Sequence, residues 1–130
     1  MDNNNSQILI YQTEDGQTKI DVRLQDETVW LTQRMLAELF QTTKQNISAH
    51  LINIYQEGEL QEDRTVKKFL TVQTEGTREV SREIEYYNLD AIISVGYRIQ
   101  SHVATRFRQW ATQHLSLIHI SEPTRRRGIS

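Results

Sequence analysis

Lys44, Gln45, Asn46, Ala49 and Asn53 are the residues of this chain whose types and spacing suit chemistry with a definable partner. Amide side chains carry a donor beside an acceptor and can bond bidentately to adenine in the major groove, and an ammonium reaches guanine acceptors or a phosphate. On a helix that starts at Thr43, these positions point away from Ile47, Leu51 and Ile54, which recur at helical spacing. The first turns of an exposed helix are the part that enters the groove in helix-turn-helix proteins. Thr43, Lys44, Gln45, Asn46 and Ala49 are therefore candidate base contacts.

The elements that must position them lie within Trp30 to Leu60. A first helix is predicted to start at Thr32, whose hydroxyl can accept an orphan backbone N–H, and to present Met35, Leu36, Leu39 and Phe40 on one face. Ala37 faces inward, where a small side chain lets the second helix cross closely. The second helix is again capped by a threonine, Thr43, so the pair spans about residues 32–55. The joining turn, Gln41-Thr42-Thr43, lacks the usual glycine, so Gln41 is expected in a left-handed or otherwise unfavourable conformation. Two readings of the helical pair stand: a DNA-reading helix-turn-helix, or a helical hairpin that packs or binds protein.

Around this pair the chain alternates between ribbons and helices. After a polar, unstructured start, Ile8 to Tyr11 and Lys19 to Leu24 read as strands around Glu14-Asp15-Gly16, and Thr28 to Leu31 as a third. Val66 to Thr74 and Arg78 to Tyr87 form a second ribbon around Glu75-Gly76. Either this ribbon stands as a wing that brings Lys67 and Lys68 to the DNA backbone, or it pairs with the first hairpin in one small sheet. Asn88 caps an apolar helix with Asp90 in its first turn. Another starts at Ser101, with Val103, Phe107, Trp110 and Ala111 as its stripe and Trp110 as a core anchor. The predicted class is α+β: a helix-turn-helix on small antiparallel hairpins, followed by two C-terminal helices.

Catalysis finds little support. His50, His102 and His114 lack metal-ligand spacing, so neither a metal nor another cofactor is expected. Gly16, Gly58, Gly76 and Gly96 are isolated rather than gathered in a phosphate loop, and Ser48, Ser81, Ser94 and Ser101 have no nucleophile-elbow context. Glu83 and Glu85 alternate along a strand as a solvent face. With no cysteine, disulfides and cysteine-based zinc sites are excluded. No apolar run approaches the roughly 20 residues of a membrane helix, so no membrane partner is expected and a cytoplasmic location is the default.

Leu115 to Arg125, LSLIHISEPTR, resembles a translated transposase-type sequencing adapter, with Arg126 to Ser130 compatible with reading on beyond it. On that reading residues 1–114 form one domain, 115–130 are foreign with Leu115 ambiguous, and the native protein continued beyond His114. The tail holds three arginines and Glu122; subtracting them from 15 basic and 17 acidic residues leaves 12 against 16, a charge of −4. Bulk electrostatics then opposes DNA binding, which draws on phosphate neutralisation. A local basic surface must supply it: Lys44 with Arg34, joined by Lys67 and Lys68 or by Arg106 and Arg108. Glu57, Glu59, Glu62 and Asp63 are expected away from DNA.

Several ordered motifs carry a family resemblance: Trp30-Leu31-Thr32, Ala37-Glu38-Leu39-Phe40, Ile47-Ser48-x-His50, Glu57-Gly58-Glu59-Leu60, Tyr86-Tyr87-Asn88-Leu89-Asp90, Ile92 to Arg98, and Phe107-Arg108-x-Trp110-Ala111. From about Ile8 to His114 the chain resembles the bacterial virulence-associated RhuM family. The resemblance implies a cytoplasmic protein of pathogenicity islands or mobile elements, in some members joined to a Fic or death-on-curing type domain. It also implies DNA binding in the style of phage antirepressor domains. This chain departs from the family at Gln41, where glycine is usual, and at Ala49, where a basic residue is frequent. Family proteins are also much longer. The resulting expectation is a transcription-regulating module on duplex DNA, dimeric on two half-sites, with Thr32, Gln33, Lys67 and Lys68 on phosphates. The alternative is a module that docks or restrains a protein partner such as a linked toxin or effector.

Overall fold

A computed structural model describes residues 7–13 and 16–120, with side-chain surroundings as far as residue 116. The polar start, Glu14-Asp15 of the first turn, and residues 121–130 of the tail lie outside the described residues. Five strands build the sheet, β1 (Gln7–Gln12), β2 (Lys19–Gln25), β3 (Thr28–Leu31), β4 (Val66–Glu75) and β5 (Arg78–Asn88), with buried and outward residues alternating most regularly in β2. Every pairing is antiparallel, in the order β1-β2-β3-β5-β4. The two ribbons join through a short ladder, Trp30 against Asn88 and Leu31 against Tyr87. Of the two arrangements open to the sequence, the second ribbon is thus rooted in one sheet with the first hairpin. Beyond that root, β4 and β5 continue as a two-stranded arm to the pair Glu75 and Arg78.

Helices α1 (Gln33–Phe40), α2 (Lys44–Gln56), α3 (Glu62–Thr65), α4 (Leu89–Arg98) and α5 (Val103–Ile120) complete the α+β fold. The short α3 carries no sequence signal of its own. Three helices start where a side chain accepts an orphan N–H: Thr32 Oγ1 from Met35 at 3.1 Å, Thr43 Oγ1 from Asn46 at 3.0 Å, and Asn88 Oδ1 from Ala91 at 3.1 Å. Between α1 and α2 the chain turns through Gln41 at φ 55°, ψ 52°. Thr42 N–H then reaches back to the Ala37 carbonyl at 2.9 Å, closing the end of α1 without glycine. Helix α5 runs across position 115 to Ile120, with Leu115 packed on the edge of the core.

The core lies between one sheet face and the helices. Ile20, Val22, Leu24, Val29 and Leu31 meet Leu36, Leu39, Ile47, Leu51, Ile54, Ile92, Val95 and Phe107. Ala37 is buried at the α1–α2 crossing, and Trp110 is half-buried with its ring edge-on to Tyr11 at 5.2 Å. Gly96 brings α4 against its neighbours: a Cβ there would lie 2.4 Å from Ala104 Cβ and 3.1 Å from the Phe40 ring. On the opposite sheet face Trp30, Phe69 and Tyr86 form a second small cluster, capped by the Arg23 guanidinium 4.4 Å from the Phe69 ring centre. The tight turn from β2 to β3 places both Asp26 and Glu27 at positive φ, 56° and 63°. A two-residue hairpin of this hand normally takes Asn-Gly.

Candidate nucleic-acid interface

Packing fixes which side of α2 is free. Ile47, Leu51 and Ile54 are buried, and the helix turns Thr43, Lys44, Gln45, Ala49 and Asn53 outward with Asn46 and His50 half-exposed. Thr43 uses an acceptor lone pair on Asn46 N–H and keeps its O–H to donate. Asn46 Nδ2 donates to Thr42 Oγ1 at 2.9 Å, so its amide is held against the turn. Among the described residues, Gln45 and Lys44 form no side-chain hydrogen bond and no ion pair.

The first turn of α2 borders a hollow of about 640 Å³ lined by Lys19, Arg34, Lys44, Glu38, Gln41 and Thr42 among others. Three cations face a single carboxylate there. Lys19 comes from the start of β2, beneath α1, and was not among the charges expected to join Lys44. Its signal was its outward parity next to buried Ile20. An adjoining groove of about 670 Å³ runs from Lys19, Thr32, Gln33, Arg34 and Lys44 to the arm, where Thr71, Arg82, Glu83, Ile84 and Glu85 line it. Its cations, Lys19, Arg34, Lys44 and Arg82, are balanced by Asp21, Glu38, Glu83 and Glu85. Positive character is therefore concentrated in the hollow beside α2.

Of the four expected phosphate contacts, Thr32 and Gln33 line this groove, while Lys67 and Lys68 do not. Consecutive strand residues point to opposite faces, which separates the two lysines. Lys67 Nζ pairs with Asp26 Oδ2 at 2.5 Å and lies 5.6 Å from the Phe69 ring centre. Lys68 lines a different hollow, near Glu62, Asp63 and Glu85. Gln33 Nε2 donates to Tyr87 Oη at 2.9 Å, and that hydroxyl donates to Glu85 at 3.3 Å. Burial pushes the Tyr87 phenol up to about 12, so it remains a neutral donor. Arg106 and Arg108 are exposed on α5 and line neither hollow nor groove.

The far end of α2 is acidic and braced. Arg98 of α4 reaches Glu57 at 2.6 Å and Glu59 at 2.7 Å, and Ser94 donates to Glu59 at 2.5 Å. The Ser94 hydroxyl and then the Arg98 guanidinium hold the Glu59 carboxyl below the usual carboxylate range. Thirteen residues at a rise of about 1.5 Å each separate these acids from the first turn by roughly 18 Å. The Tyr55 hydroxyl adds a 2.7 Å bond to Thr65 of α3. These ties fix the angle at which α2 presents its outer face.

The fold is α+β: a short helical pair, packed on one face of a five-stranded antiparallel sheet, displays a polar helix beside a basic hollow. Residues 64–120 match the Virulence protein RhuM family, in agreement with the motifs of α4 and α5. The matched segment contains the arm and the two C-terminal helices; the α1–α2 pair precedes it. No curated protein matches the chain, and no solved structure matches it. Among the described residues, no helix is long and apolar enough to cross a membrane.

Proposed function

We propose that this chain is a DNA-binding, transcription-regulating module rather than an enzyme, with α1 and α2 acting as a helix-turn-helix. Thr43, Lys44, Gln45, Asn46 and Ala49 face base edges, and Lys19 and Arg34, with Thr32 and Gln33, hold the flanking phosphates. One observation carries the reading: the outward first turns of α2 adjoin a hollow where three cations meet one carboxylate. In this reading Gln45, exposed on the first turn of α2, makes bidentate contact with adenine, and Ala49 leaves room for a thymine methyl. Asn46 must release Thr42 before it can read a base, and Lys67 must release Asp26 before it can reach a phosphate. A single unit contacts few base pairs, so two copies on half-sites one helical turn apart complete the proposal.

The phosphate part of the proposal is tested by measuring affinity for a fixed duplex against salt concentration. Each neutralised phosphate contributes about 0.9 to the slope of log affinity on log salt. Replacing Lys19 and Arg34 together by alanine is expected to lower that slope by about 1.8 per bound unit. An unchanged slope in a folded variant would remove these residues from the interface.

A further inference from the structure

The β4–β5 arm sorts its side chains by charge. Its ladder pairs Lys68 with Glu85, Leu70 with Glu83, Val72 with Ser81 and Thr74 with Glu79, and directly paired residues share a face. That face carries three carboxylates and one lysine, a balance of −2. The opposite face carries Lys67, Arg78 and Arg82 with Glu75, a balance of +2. Glu75 is spent on Arg82, through bonds of 2.6 and 2.8 Å. Leu70 and Val72, on the acidic face, are 69% and 61% exposed. β4 is also the outer strand of the sheet, so one edge of its backbone has no neighbour among the described strands. Glu79 and Glu83 hold no ion-pair partner among the described residues.

We propose that the acidic face of the arm and the open edge of β4 bind an extended peptide that carries Lys or Arg at alternate positions, added as a further strand beside β4. Strands pair at about 4.8 Å, so a basic residue on the added strand sits roughly 10 Å from β5. Its methylene stem crosses Leu70 to meet Glu83 directly beyond it, or crosses Val72 and meets Glu79 or Glu83 on the diagonal. The apolar pair and the acidic row are thus satisfied by one periodic side-chain pattern, with main-chain bonds along the edge. Glu83 lies at the border between this site and the groove that Thr32, Gln33 and Arg34 line, whereas Leu70, Val72 and Glu79 lie outside that groove; the inference does not rest on the DNA reading.

The test is fluorescence anisotropy of the whole chain with a short labelled peptide of alternating Lys and Thr, beside a peptide of the same composition with its lysines grouped at one end. The alternating peptide is expected to bind more tightly than the grouped one and to shift the amide signals of residues 68–74. Glu79→Gln with Glu83→Gln, and separately Leu70→Thr with Val72→Thr, are expected to weaken it about three- to tenfold without changing the circular dichroism. No binding, equal binding of the two peptides, unaltered binding by the variants, or amide shifts confined to other elements would each overturn the proposal. Sedimentation of the free chain supplies a further check. A dimer that both variant pairs dissociate would assign the edge to a second copy instead.

Discussion

Gly96→Ala adds one methyl group at the place where three helices meet. The new Cβ would stand 2.4 Å from Ala104 Cβ on α5 and 3.1 and 3.3 Å from two atoms of the Phe40 ring at the end of α1. Ala104 is 1% exposed and its Cβ belongs to helix framework, so relief requires α4 and α5 to separate rather than a side chain to rotate. Overpacking of this kind costs about 1–3 kcal/mol, and the short Cβ contact places it towards the upper end. Helix propensity returns about 1 kcal/mol for Gly→Ala. The expected outcome is a loss of about 2 kcal/mol, read as a lower urea midpoint at unchanged slope and a melting temperature lower by roughly 5–12 °C. Ala104→Gly made in the same background removes the clashing methyl, so the double variant should be more stable than the sum of the single changes predicts. If Gly96→Ala were as stable as the parent, or if the two changes were simply additive, the close helix approach would not be a property of the folded protein.

Three further outcomes follow from the caps and the brace. At position 41, with φ 55°, glycine should exceed alanine by about 1 kcal/mol in chemical denaturation, the reverse of their order inside a helix. Thr43→Ala removes the acceptor for Asn46 N–H and should lower stability by about 1 kcal/mol, with a readable loss of ellipticity; an unaffected denaturation curve would argue against the cap. Because the Glu59 carboxyl is held below its ordinary value by Ser94 and Arg98, its contribution is present above the usual carboxylate pKa and is lost as pH falls through the depressed value. Urea midpoints should therefore drop on acidification below about pH 4.5, and Glu59→Gln should flatten that part of the profile; a Gln variant with the parent's full acid slope would locate the titration elsewhere.

The strands were legible because each buried face is written at period two, as in Ile20, Val22 and Leu24. The helix starts at Thr32, Thr43 and Asn88 were legible because a cap is a local chemical need met by one side chain. Gln41 was readable in the same local terms, from the missing glycine at a turn that demands a left-handed residue. The Asp26-Glu27 turn was not, since Glu27 stands where such a turn usually has glycine and the pairing of β2 with β3 imposes its positive φ. The site was half legible. The outward residues of α2 follow from its buried stripe, whereas the approach of Lys19 to Arg34 and Lys44 depends on how β2 lies under α1. Period two already separates Lys67 from Lys68, but only the tertiary fold brings Asp26 to Lys67.

The measurement that bears most directly on the proposed role is selection of the 130-residue chain against a randomised duplex DNA pool at near-physiological salt, run beside a variant with Lys44, Gln45 and Asn46 all changed to alanine. The account predicts an enriched motif with adenine or guanine at the positions read by α2, lost in the folded variant while weak non-specific binding persists. Absence of any enriched motif with folded protein, or the same motif selected by the variant, would contradict it.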